Sequence, residues 1–348
     1  MIVERVARFV GDPQADSFDE LALAAFAWQH ERIEPYRRLC AARGATPATV
    51  TDWRQVPPVP ASAFKTMELA AAPAVEVFRS SGTTAGPEGR SLHRHPFPDL
   101  YRQTIDAAFP GFCLPAAAPV PMFSLIPSRA QAPDSSLAFM IDHVLARWGA
   151  PESAAAVGPR GVEAARARSW AGARQREGRP VLVLGTSLAH LQWLETLERQ
   201  DLRFRLPAGS AVFDTGGFKG RGRETAPGEL QARLTDRLAV PPDRVVREYG
   251  MTELTSQLYT RALAGGDPDL FVAPHWVRVR VLDPETLEEA PAGSPGLVAV
   301  FDLANLGSAV HLLTEDLGAM EEGGLRLLGR SAGAGLRGCS LAAEELGA

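Results

Sequence analysis

The pattern of apolar and polar positions changes near residue 265. Before that point, short apolar runs alternate with segments in which apolar residues recur every three or four positions. After it, apolar and polar residues alternate in short runs bounded by turn residues. The first pattern predicts strands alternating with helices, and the second predicts a small β-rich region.

The first part of the chain therefore predicts a largely parallel α/β core. Ser17 to Glu20 has the spacing of a capping box ahead of an apolar helical face, and Gly44 is a plausible helix stop. Predicted helices cover 17–43, 135–148, 187–200 and 228–238. Predicted strands cover 75–79, 122–126, 181–184, 211–213 and 245–246. The proline-rich segment 56–60 is expected to be a connector, since proline is excluded from central strands.

The second part predicts a small antiparallel sheet or barrel. Its strands are expected at 276–282, 296–303, 310–313 and 325–328. We expect residues 1–264 to form the α/β core and 265–328 to form a β-rich subdomain of the same domain. Residues 329–348 are expected to form a short flexible tail.

Composition excludes several classes of function. A net charge of −5 and the lack of a basic patch argue against nucleic acid as a partner. No apolar run approaches the roughly 18 residues of a membrane span, and the first residues lack the apolar core of a signal peptide. The three cysteines have neither metal-binding nor disulfide-framework spacing, so the expected location is the cytoplasm.

Three polar motifs could hold a nucleotide. Residues 80–89, rich in Ser, Thr and Gly, follow a predicted strand and could wrap phosphates through backbone N–H groups and hydroxyls. Residues 249–253, Tyr-Gly-Met-Thr-Glu, offer an aromatic face, a hydroxyl and a carboxylate for Mg²⁺. Asp316 could accept hydrogen bonds from ribose hydroxyls. The alternatives are a flexible surface loop, a polar turn in which Thr252 caps a helix, and an Asp-Leu-Gly turn.

In order and spacing, these motifs resemble those of the adenylate-forming superfamily of acyl-CoA synthetases and related ligases. Residues 80–89 match its Ser-Gly-Thr-Thr-Gly-x-Pro-Lys-Gly signature except at Ala85 and Glu88, and Glu88 removes a cation near the triphosphate. Residues 249–253 match Tyr-Gly-x-Thr-Glu completely. Asp316 falls where the superfamily has its ribose-binding aspartate, and Gly216-Gly217 resembles the glycine turn that lines adenine.

One branch of the superfamily is most similar to this chain. The acyl-protein synthetases, or long-chain-fatty-acid–protein ligases, resemble it from about residue 50 to the end, and the phenylacetate–CoA ligases are the next most similar branch. The segments that carry this resemblance are Phe64-Lys65, 133–140, Thr215-Gly216-Gly217-Phe218-Lys219 and Arg337-Gly338-Cys339-Ser340-Leu341.

The resemblance implies the N-terminal-type domain of an adenylate-forming enzyme, with mainly parallel sheets and helices, plus a small β-rich subdomain. It also implies that the mobile C-terminal domain is absent. That domain has roughly a hundred residues after a Gly-Arg hinge, whereas 18 residues follow Gly329-Arg330 here. Its catalytic lysine would then be replaced by another cation, for which Lys219, Lys65 and Arg330 are the candidates. Each could equally be a solvated surface cation.

The same resemblance assigns roles in a reaction that uses ATP and Mg²⁺. Glu253 would hold Mg²⁺, Thr252 the α-phosphate and Asp316 the ribose, while Lys219 and Arg330 would supply cations. The β- and γ-phosphates would be held by Ser80, Ser81, Gly82, Thr83 and Thr84. Adenine would be lined by Gly216, Gly217, Tyr249 and Gly250.

Cys339 is the predicted acyl acceptor. A thiolate is a strong nucleophile and an acyl-adenylate is a reactive electrophile. Neighbouring glycines could let the thiol swing towards a site, and Arg337 could favour the thiolate. The alternative is a tail cysteine without a role. Cys40 and Cys113 are expected to be buried apolar residues.

The predicted function is ATP-dependent activation of a long-chain fatty acid, transfer of the acyl group to Cys339 as a thioester, and delivery to a partner acyl reductase. Two alternatives remain open. One is an aryl- or acyl-CoA ligase of the phenylacetate type, and the other is a non-catalytic acyl-adenylate-binding module. The departures at Ala85 and Glu88 favour the last, whereas the intact 249–253 motif opposes it.

Overall fold

The computed structural model describes residues 1–81, 89–158, 161–216 and 228–330. Their contacts divide the chain into two compact units. The first unit contains Met1–Ala107, Met251–Leu258 and the described residues from Val272 onward. The second contains the described parts of Ala108–Gly250 together with Tyr259–Phe271. This grouping differs from a division at residues 264 and 328, because the N-terminal segment packs with the β-rich one.

The helices follow most of the predicted segments. The described residues form α1 (Ile2–Gly11), α2 (Phe18–Arg32), α3 (Glu34–Ala42), α4 (Pro98–Cys113), α5 (Ser136–Trp148), α6 (Ala164–Glu177), α7 (Ser187–Arg199) and α8 (Glu229–Leu238). None of them is long and apolar enough to cross a membrane.

The predicted helical segment 17–43 is confirmed, but it is divided at Ile33 into α2 and α3. Ile33 is extended, with φ −105° and ψ 99°, and separates α2 from α3. Pro35 lies in the first turn of α3, where its missing N–H costs no helical hydrogen bond, but it could not continue α2. The predicted stop at Gly44 is confirmed by its left-handed φ of +63°.

Three helices, α1, α4 and α6, fall outside the predicted elements. α4 contains Pro110 inside the helix, which is a strong signal against helical structure. α6 is rich in arginine and buries mainly small side chains, namely those of Ala167 and Ala171, with Trp170 and Arg174. Its apolar stripe is therefore too weak to be recognised from the sequence.

The strands are β1 (Val59–Pro60), β2 (Glu76–Arg79), β3 (Leu92–His95), β4 (Met122–Ser124), β5 (Ala154–Ala155), β6 (Val157–Gly158), β7 (Gly161–Val162), β8 (Leu182–Thr186), β9 (Ala211–Thr215), β10 (Val245–Tyr249), β11 (Leu258–Thr260), β12 (Leu270–Val272), β13 (Val277–Leu282), β14 (Gly296–Asp302), β15 (His311–Glu321) and β16 (Gly324–Arg330).

The second unit contains the predicted parallel sheet. Its parallel strands lie in the order β5-β4-β8-β9-β10. From β4 the chain continues to β5 on one side, and from β8 it continues to β9 and β10 on the other side. The direction in which strands are added therefore reverses between β4 and β8. In open α/β sheets, ligands bind beyond the carboxyl ends of the strands near such a reversal.

One apolar cluster fills the core of the second unit. Phe123 on β4 stacks on Trp170 of α6 at 4.7 Å between ring centroids, and Trp193 of α7 is fully buried beside them. The helices therefore fix the strands through large aromatic contacts, which contribute more than their buried area alone. This rigid packing holds the strand ends in place.

The first unit contains the predicted β-rich region. β13, β14, β15 and β16 form an antiparallel meander. The segment 56–60 was predicted to be a connector. Its last two residues, Val59 and Pro60, instead form the short strand β1, parallel to β15. A two-residue strand needs few ladder hydrogen bonds, which makes proline tolerable there.

Candidate functional site

The Ser/Thr/Gly-rich loop lies at the end of a two-stranded hairpin in the first unit. β2 pairs antiparallel with β3, and Arg79 lies opposite Leu92. The base of the loop is closed by Ser80, whose N–H donates to the Ser91 carbonyl at 3.1 Å and whose Oγ accepts from the Ser91 N–H at 2.9 Å. The predicted position of the loop directly after a strand is therefore confirmed.

The loop residues themselves are described only at its two ends. Ser81 is exposed, and Gly89 resumes the described chain. The predicted phosphate-binding residues Gly82, Thr83 and Thr84 lie outside the described residues. The side chain of Ser80 ties the two sides of the loop together at its base, which the sequence did not indicate.

The Thr252-Glu253 part of the second motif is also in the first unit and is held by its backbone. The Thr252 carbonyl accepts from Nδ1 of His93 at 2.8 Å, and the Glu253 carbonyl accepts from Nδ2 of Asn305 at 2.8 Å. Glu253 is 6% exposed. The turn at 252–253 does not begin a helix, so the alternative of Thr252 as a helix cap is wrong.

The residues that follow this motif are fixed by Asp302, at the end of β14. Its carboxylate accepts from the N–H groups of Thr255 and Ser256 at 3.0 and 2.8 Å, from the Ser256 hydroxyl at 2.7 Å and from the Ala304 N–H at 3.0 Å. Burial raises the pKa of Asp302 to about 6, although these hydrogen bonds act in the opposite direction.

His93 and His95 attach the hairpin to the same segment. His95 Nε2 lies 2.9 Å from the hydroxyl of Thr255, and that hydroxyl donates to Asn305 at 2.9 Å. Burial lowers the pKa of His93 to about 4 and that of His95 well below its usual value. Both rings are therefore neutral at pH 7.

These residues were missed by sequence reasoning. His93 and His95 share one face of β3, because side chains two apart on a strand point the same way. That spacing, directly after the loop, is the signal that could have singled them out. Asp302 and Asn305 carried a weaker one, a polar pair after a long apolar run.

Asp316 and Arg330 face each other across two antiparallel strands. They are register partners on β15 and β16, and Arg330 Nε donates to Asp316 Oδ1 at 3.2 Å. Asp316 lies within β15, so the strand extends beyond its predicted end at residue 313 and the alternative of an Asp-Leu-Gly turn was wrong. β15 continues because β16 pairs with it as far as Glu321.

In the second unit, the predicted adenine-lining residues lie on neighbouring strand ends. Glu248 pairs with Thr215 in register, which places Tyr249 beside Gly216 at the carboxyl edge of the parallel sheet. Tyr249 is 8% exposed and packs edge-on against Phe271 at 6.1 Å. Gly250 follows directly, whereas Gly217 lies outside the described residues.

A buried polar group holds the carbonyl of Gly216. The Ser187 hydroxyl oxygen lies 2.6 Å from that carbonyl and 2.9 and 3.0 Å from the two carboxyl oxygens of Asp214. Burial raises the pKa of Asp214 to about 7, opposed by the hydrogen bond from Ser187. A protonated Asp214 can donate to Ser187, which frees the serine hydrogen for Gly216.

Gly216 itself has a φ of +77°, a conformation that disfavours other residues. The neighbouring Thr215 hydroxyl donates to the buried carboxylate of Glu248. Buried polar side chains therefore lie at this edge of the sheet, and one of them holds the carbonyl of Gly216.

Only some of the candidate cations and thiols are among the described residues. Lys65 is exposed and Arg330 is paired with Asp316, whereas Lys219 and Cys339 lie outside the described residues. Cys40 and Cys113 are buried free thiols, which confirms their prediction. Burial raises the pKa of Cys40 to about 12 and that of Cys113 well above its usual value.

The metal prediction rests on Glu253. Within the described residues, no group of three or more His, Cys, Asp or Glu side chains could hold a metal ion by itself. Mg²⁺ differs from other metals in this respect, because it is usually bound by one or two carboxylates together with substrate phosphates and water. A single carboxylate on a segment that is hydrogen-bonded to the Ser80 hairpin fits that coordination.

The fold is similar to that of solved acyl-CoA ligases. An open conformation of 2-hydroxyisobutyryl-CoA ligase, in complex with 2-HIB-AMP and CoA, superposes with a TM-score of 0.67 at 15% identity, over 92% of this chain and 71% of that one. ATP-bound MatB from Rhodopseudomonas palustris superposes with a TM-score of 0.50 at 17% identity, over 83% and 52%. At these identities the likeness shows the fold alone, and it confirms the predicted adenylate-forming α/β class.

Sequence comparison is more specific. The long-chain-fatty-acid–luciferin-component ligase of Vibrio harveyi is 33% identical over 79 residues, which are 21% of this chain and 21% of that protein. The match thus spans about a fifth of the length of this curated relative. The model of the family described as acyl-protein synthetase, LuxE, matches residues 171–346, just over half of the chain. The chain therefore belongs to the LuxE family of acyl-protein synthetases.

Proposed function

We propose that this protein uses ATP to activate a long-chain fatty acid as acyl-AMP and then transfers the acyl group to its own Cys339. One observation carries the proposal most strongly. Two motifs about 170 residues apart, the loop after Ser80 and the Thr252-Glu253 turn, belong to one hydrogen-bonded assembly through His93. An arrangement of phosphate-binding loop and carboxylate supports phosphate chemistry more than either motif does alone.

The first unit would bind the phosphates. Backbone N–H groups and hydroxyls of residues 80–84 would hold the β- and γ-phosphates, and the Thr252 hydroxyl would contact the α-phosphate. Glu253 would hold Mg²⁺, which supplies positive charge to the phosphate oxygens when bound. The buried backbone of the 252–256 segment keeps these groups in place before substrate arrives, so little reorganisation is needed.

The nucleoside would be recognised by separate residues. Tyr249 offers a flat aromatic face beside Gly216, where the lack of a side chain leaves room for a base. Asp316 would accept from the ribose hydroxyls, and Arg330, its partner, would keep that carboxylate oriented.

The reaction then proceeds in two steps. The fatty acid carboxylate attacks the α-phosphorus, a new P–O bond forms, and the bond to pyrophosphate breaks. The thiolate of Cys339 next attacks the acyl carbonyl, a thioester forms, and AMP leaves with the oxygen that the acid supplied. The first step needs a cation near the α-phosphate, for which Lys219 and Arg330 are the proposed candidates.

A partner acyl reductase would receive the thioester. The name of the V. harveyi relative includes a long-chain fatty acid, which supports a fatty acid as the substrate here. A thioester on the protein is a suitable donor to a second thiol, because that thiol forms a new C–S bond to the acyl carbon as the bond to the first sulfur breaks and its thiol is released. Gly329 and Arg330 belong to β16 rather than to the predicted tail, so the carrier segment would be the residues that follow Arg330.

The acyl-transfer step is tested with radiolabelled tetradecanoic acid. Purified protein is incubated with ATP and Mg²⁺ and separated by denaturing electrophoresis, with and without hydroxylamine. We expect hydroxylamine-labile label on the wild type and none on Cys339→Ser. The matched control is Cys40→Ala, which removes a buried thiol and should keep the label.

Other outcomes would change the assignment. Pyrophosphate release without protein label, followed by AMP release on addition of CoA, would identify a CoA ligase of the phenylacetate type. Absence of both label and pyrophosphate across a range of acids would identify a non-catalytic binding module. Transfer of label from the wild type to a purified acyl reductase would support the proposed partner.

A further inference from the structure

Two buried histidines connect the hairpin that bears the Ser80 loop to the turn that bears Thr252 and Glu253. His93 and His95 are 1% and 3% exposed, and their ring centroids lie 5.0 Å apart. Both belong to β3, which is paired with β2 and leads directly out of the loop. Any movement of this strand would therefore reach the loop on one side and the turn on the other.

The hydrogen-bond partners fix the tautomer of His93. Its Nδ1 lies 2.8 Å from the carbonyl of Thr252. A carbonyl can only accept, so Nδ1 must carry the hydrogen. Phe64 packs edge-on against the ring at 5.6 Å, which limits its rotation.

His95 is fixed in the opposite tautomer by a longer argument. Nδ2 of Asn305 donates to the carbonyls of Glu253 and Ala309 at 2.8 and 2.7 Å, so Oδ1 of Asn305 faces the hydroxyl of Thr255. That oxygen can only accept, and the Thr255 hydroxyl must donate to it. The hydroxyl therefore accepts from His95, whose Nε2 carries the hydrogen.

In each histidine ring, the second nitrogen makes no hydrogen bond to any residue that the structure describes. Within the part of the chain that the structure describes, Nε2 of His93 and Nδ1 of His95 are buried and have no hydrogen-bond partner. A buried polar atom without a partner is costly. Each ring thus contributes one directed donor, and these two donors hold the turn at the Thr252 carbonyl and the Thr255 hydroxyl.

We infer that His93 and His95 are positioning residues, each of which uses one specific N–H to hold the segment from Thr252 to Thr255 against the β2–β3 hairpin. They touch no reacting atom. The inference rests on the proposed function in one respect, namely that the turn and the loop both contact ATP. The positioning role itself does not depend on ATP, because both histidines and their hydrogen-bond partners belong to the first unit.

Amide side chains can separate a positioning donor from a buried filler. The Nδ2 group of asparagine reproduces the Nδ1–H of histidine, and the Nε2 group of glutamine reproduces its Nε2–H. His93→Asn and His95→Gln should therefore retain the donor. His93→Gln and His95→Asn should lose it.

A third histidine offers a matched control. His311 is also buried in the first unit, donates from Nδ1 to a carbonyl, that of Val56, at 2.7 Å, and has an Nε2 without a partner among the described residues. Its carbonyl partner belongs to the segment before β1, not to either ATP motif. His311→Gln thus reports the effect of losing the same bond elsewhere.

The first readout is acid-dependent ATP–pyrophosphate exchange with tetradecanoic acid. We expect His93→Gln and His95→Asn to lower kcat/KM for ATP by about tenfold, the effect of one lost buried hydrogen bond. His93→Asn and His95→Gln should stay within about threefold of the wild type, since they keep the donor. His311→Gln should lower the melting temperature without changing kcat/KM.

The second readout does not depend on activity. Hydrogen–deuterium exchange is measured on peptides that cover residues 252–256, and we expect faster exchange there in His93→Gln and His95→Asn but not in His311→Gln. If the wild type shows no pyrophosphate exchange with any acid, the proposed function is wrong and the deuterium exchange alone judges the positioning role. Equal behaviour of the two amides at both positions, or unchanged exchange at 252–256, would overturn the inference.

Discussion

The buried carboxylate of Asp302 makes the stability of the fold depend on pH in a defined direction. Four hydrogen bonds favour the ionised form, and complete burial disfavours it. Burial prevails, since the pKa rises from 3.8 to about 6. A change of this size corresponds to about 3 kcal/mol between the two protonation states.

The sign follows from linkage. Below pH 4 the carboxyl is protonated in both the folded and unfolded chains, and its contribution to stability is fully present. As pH rises from 4 to 6, the unfolded chain loses the proton first, which favours unfolding. The loss levels off as pH rises past 6 and is nearly complete by about pH 7.5. Most of it, about 2 kcal/mol, should occur between pH 4.5 and 7.5.

The perturbation is Asp302→Asn, which keeps the shape of the side chain but does not titrate. The assay is urea unfolding of the wild type and variant at half-unit steps over this pH range. The difference in unfolding free energy should move by about 2 kcal/mol in favour of the variant as pH rises. Other titrating groups are common to both chains and cancel.

An exposed aspartate supplies a control of opposite sign. Asp283 accepts from the N–H groups of Thr286 and Glu285, and these hydrogen bonds lower its pKa. The change falls at lower pH than that of Asp302, so with the urea series extended below pH 4 the Asp283→Asn variant should lose stability relative to the wild type as pH rises. A flat difference for Asp302→Asn, or one with the sign of Asp283→Asn, would refute the reasoning that burial prevails over the four hydrogen bonds.

Three further predictions concern other groups. Burial raises the pKa of Asp214 to about 7, so the melting temperature of Asp214→Asn relative to that of the wild type should rise as pH increases from 5 to 8. A relative melting temperature that falls with pH would contradict this assignment. Native protein treated with iodoacetamide and analysed by peptide mass spectrometry should carry no modification at Cys40 or Cys113, because burial raises both thiol pKa values; modification of either under native conditions would show that the thiol is accessible. Arg330→Ala should change the unfolding free energy by less than about 1 kcal/mol, since its ion pair with Asp316 is partly exposed, yet it should raise KM for ATP in pyrophosphate exchange; an unchanged KM would leave the pair a structural contact only.

Much of the fold could be predicted because its strands are continuous apolar runs. The runs that became β4, β8 and β9 were recognised within two residues at either end. The elements that were missed have conflicting local signals. Pro110 opposes a helix locally in α4, whereas α6 has residues that favour a helix but only a weak apolar stripe to reveal it.

The residues of the candidate site also differ in how well the sequence could identify them. Residues that act through a local motif, such as Thr252 and Gly216, could be singled out because their neighbours in sequence form a recognisable pattern. His93 could not be assigned a role, because its partner Thr252 is 159 positions away in the chain. Asp302 likewise acts on a turn some 46 positions earlier, and neither residue type at that spacing indicates a particular chemistry.

The central claim is that this chain forms an acyl-adenylate with the Thr252-Glu253 turn at the reacting phosphates. The most direct test is exchange of labelled pyrophosphate into ATP with tetradecanoic acid, measured for the wild type and for Glu253→Gln. We predict exchange that requires the acid in the wild type and falls by about a hundredfold or more in the variant, since the carboxylate proposed to hold Mg²⁺ is lost. Exchange that proceeds without acid, or that is unaffected by Glu253→Gln, would contradict the claim.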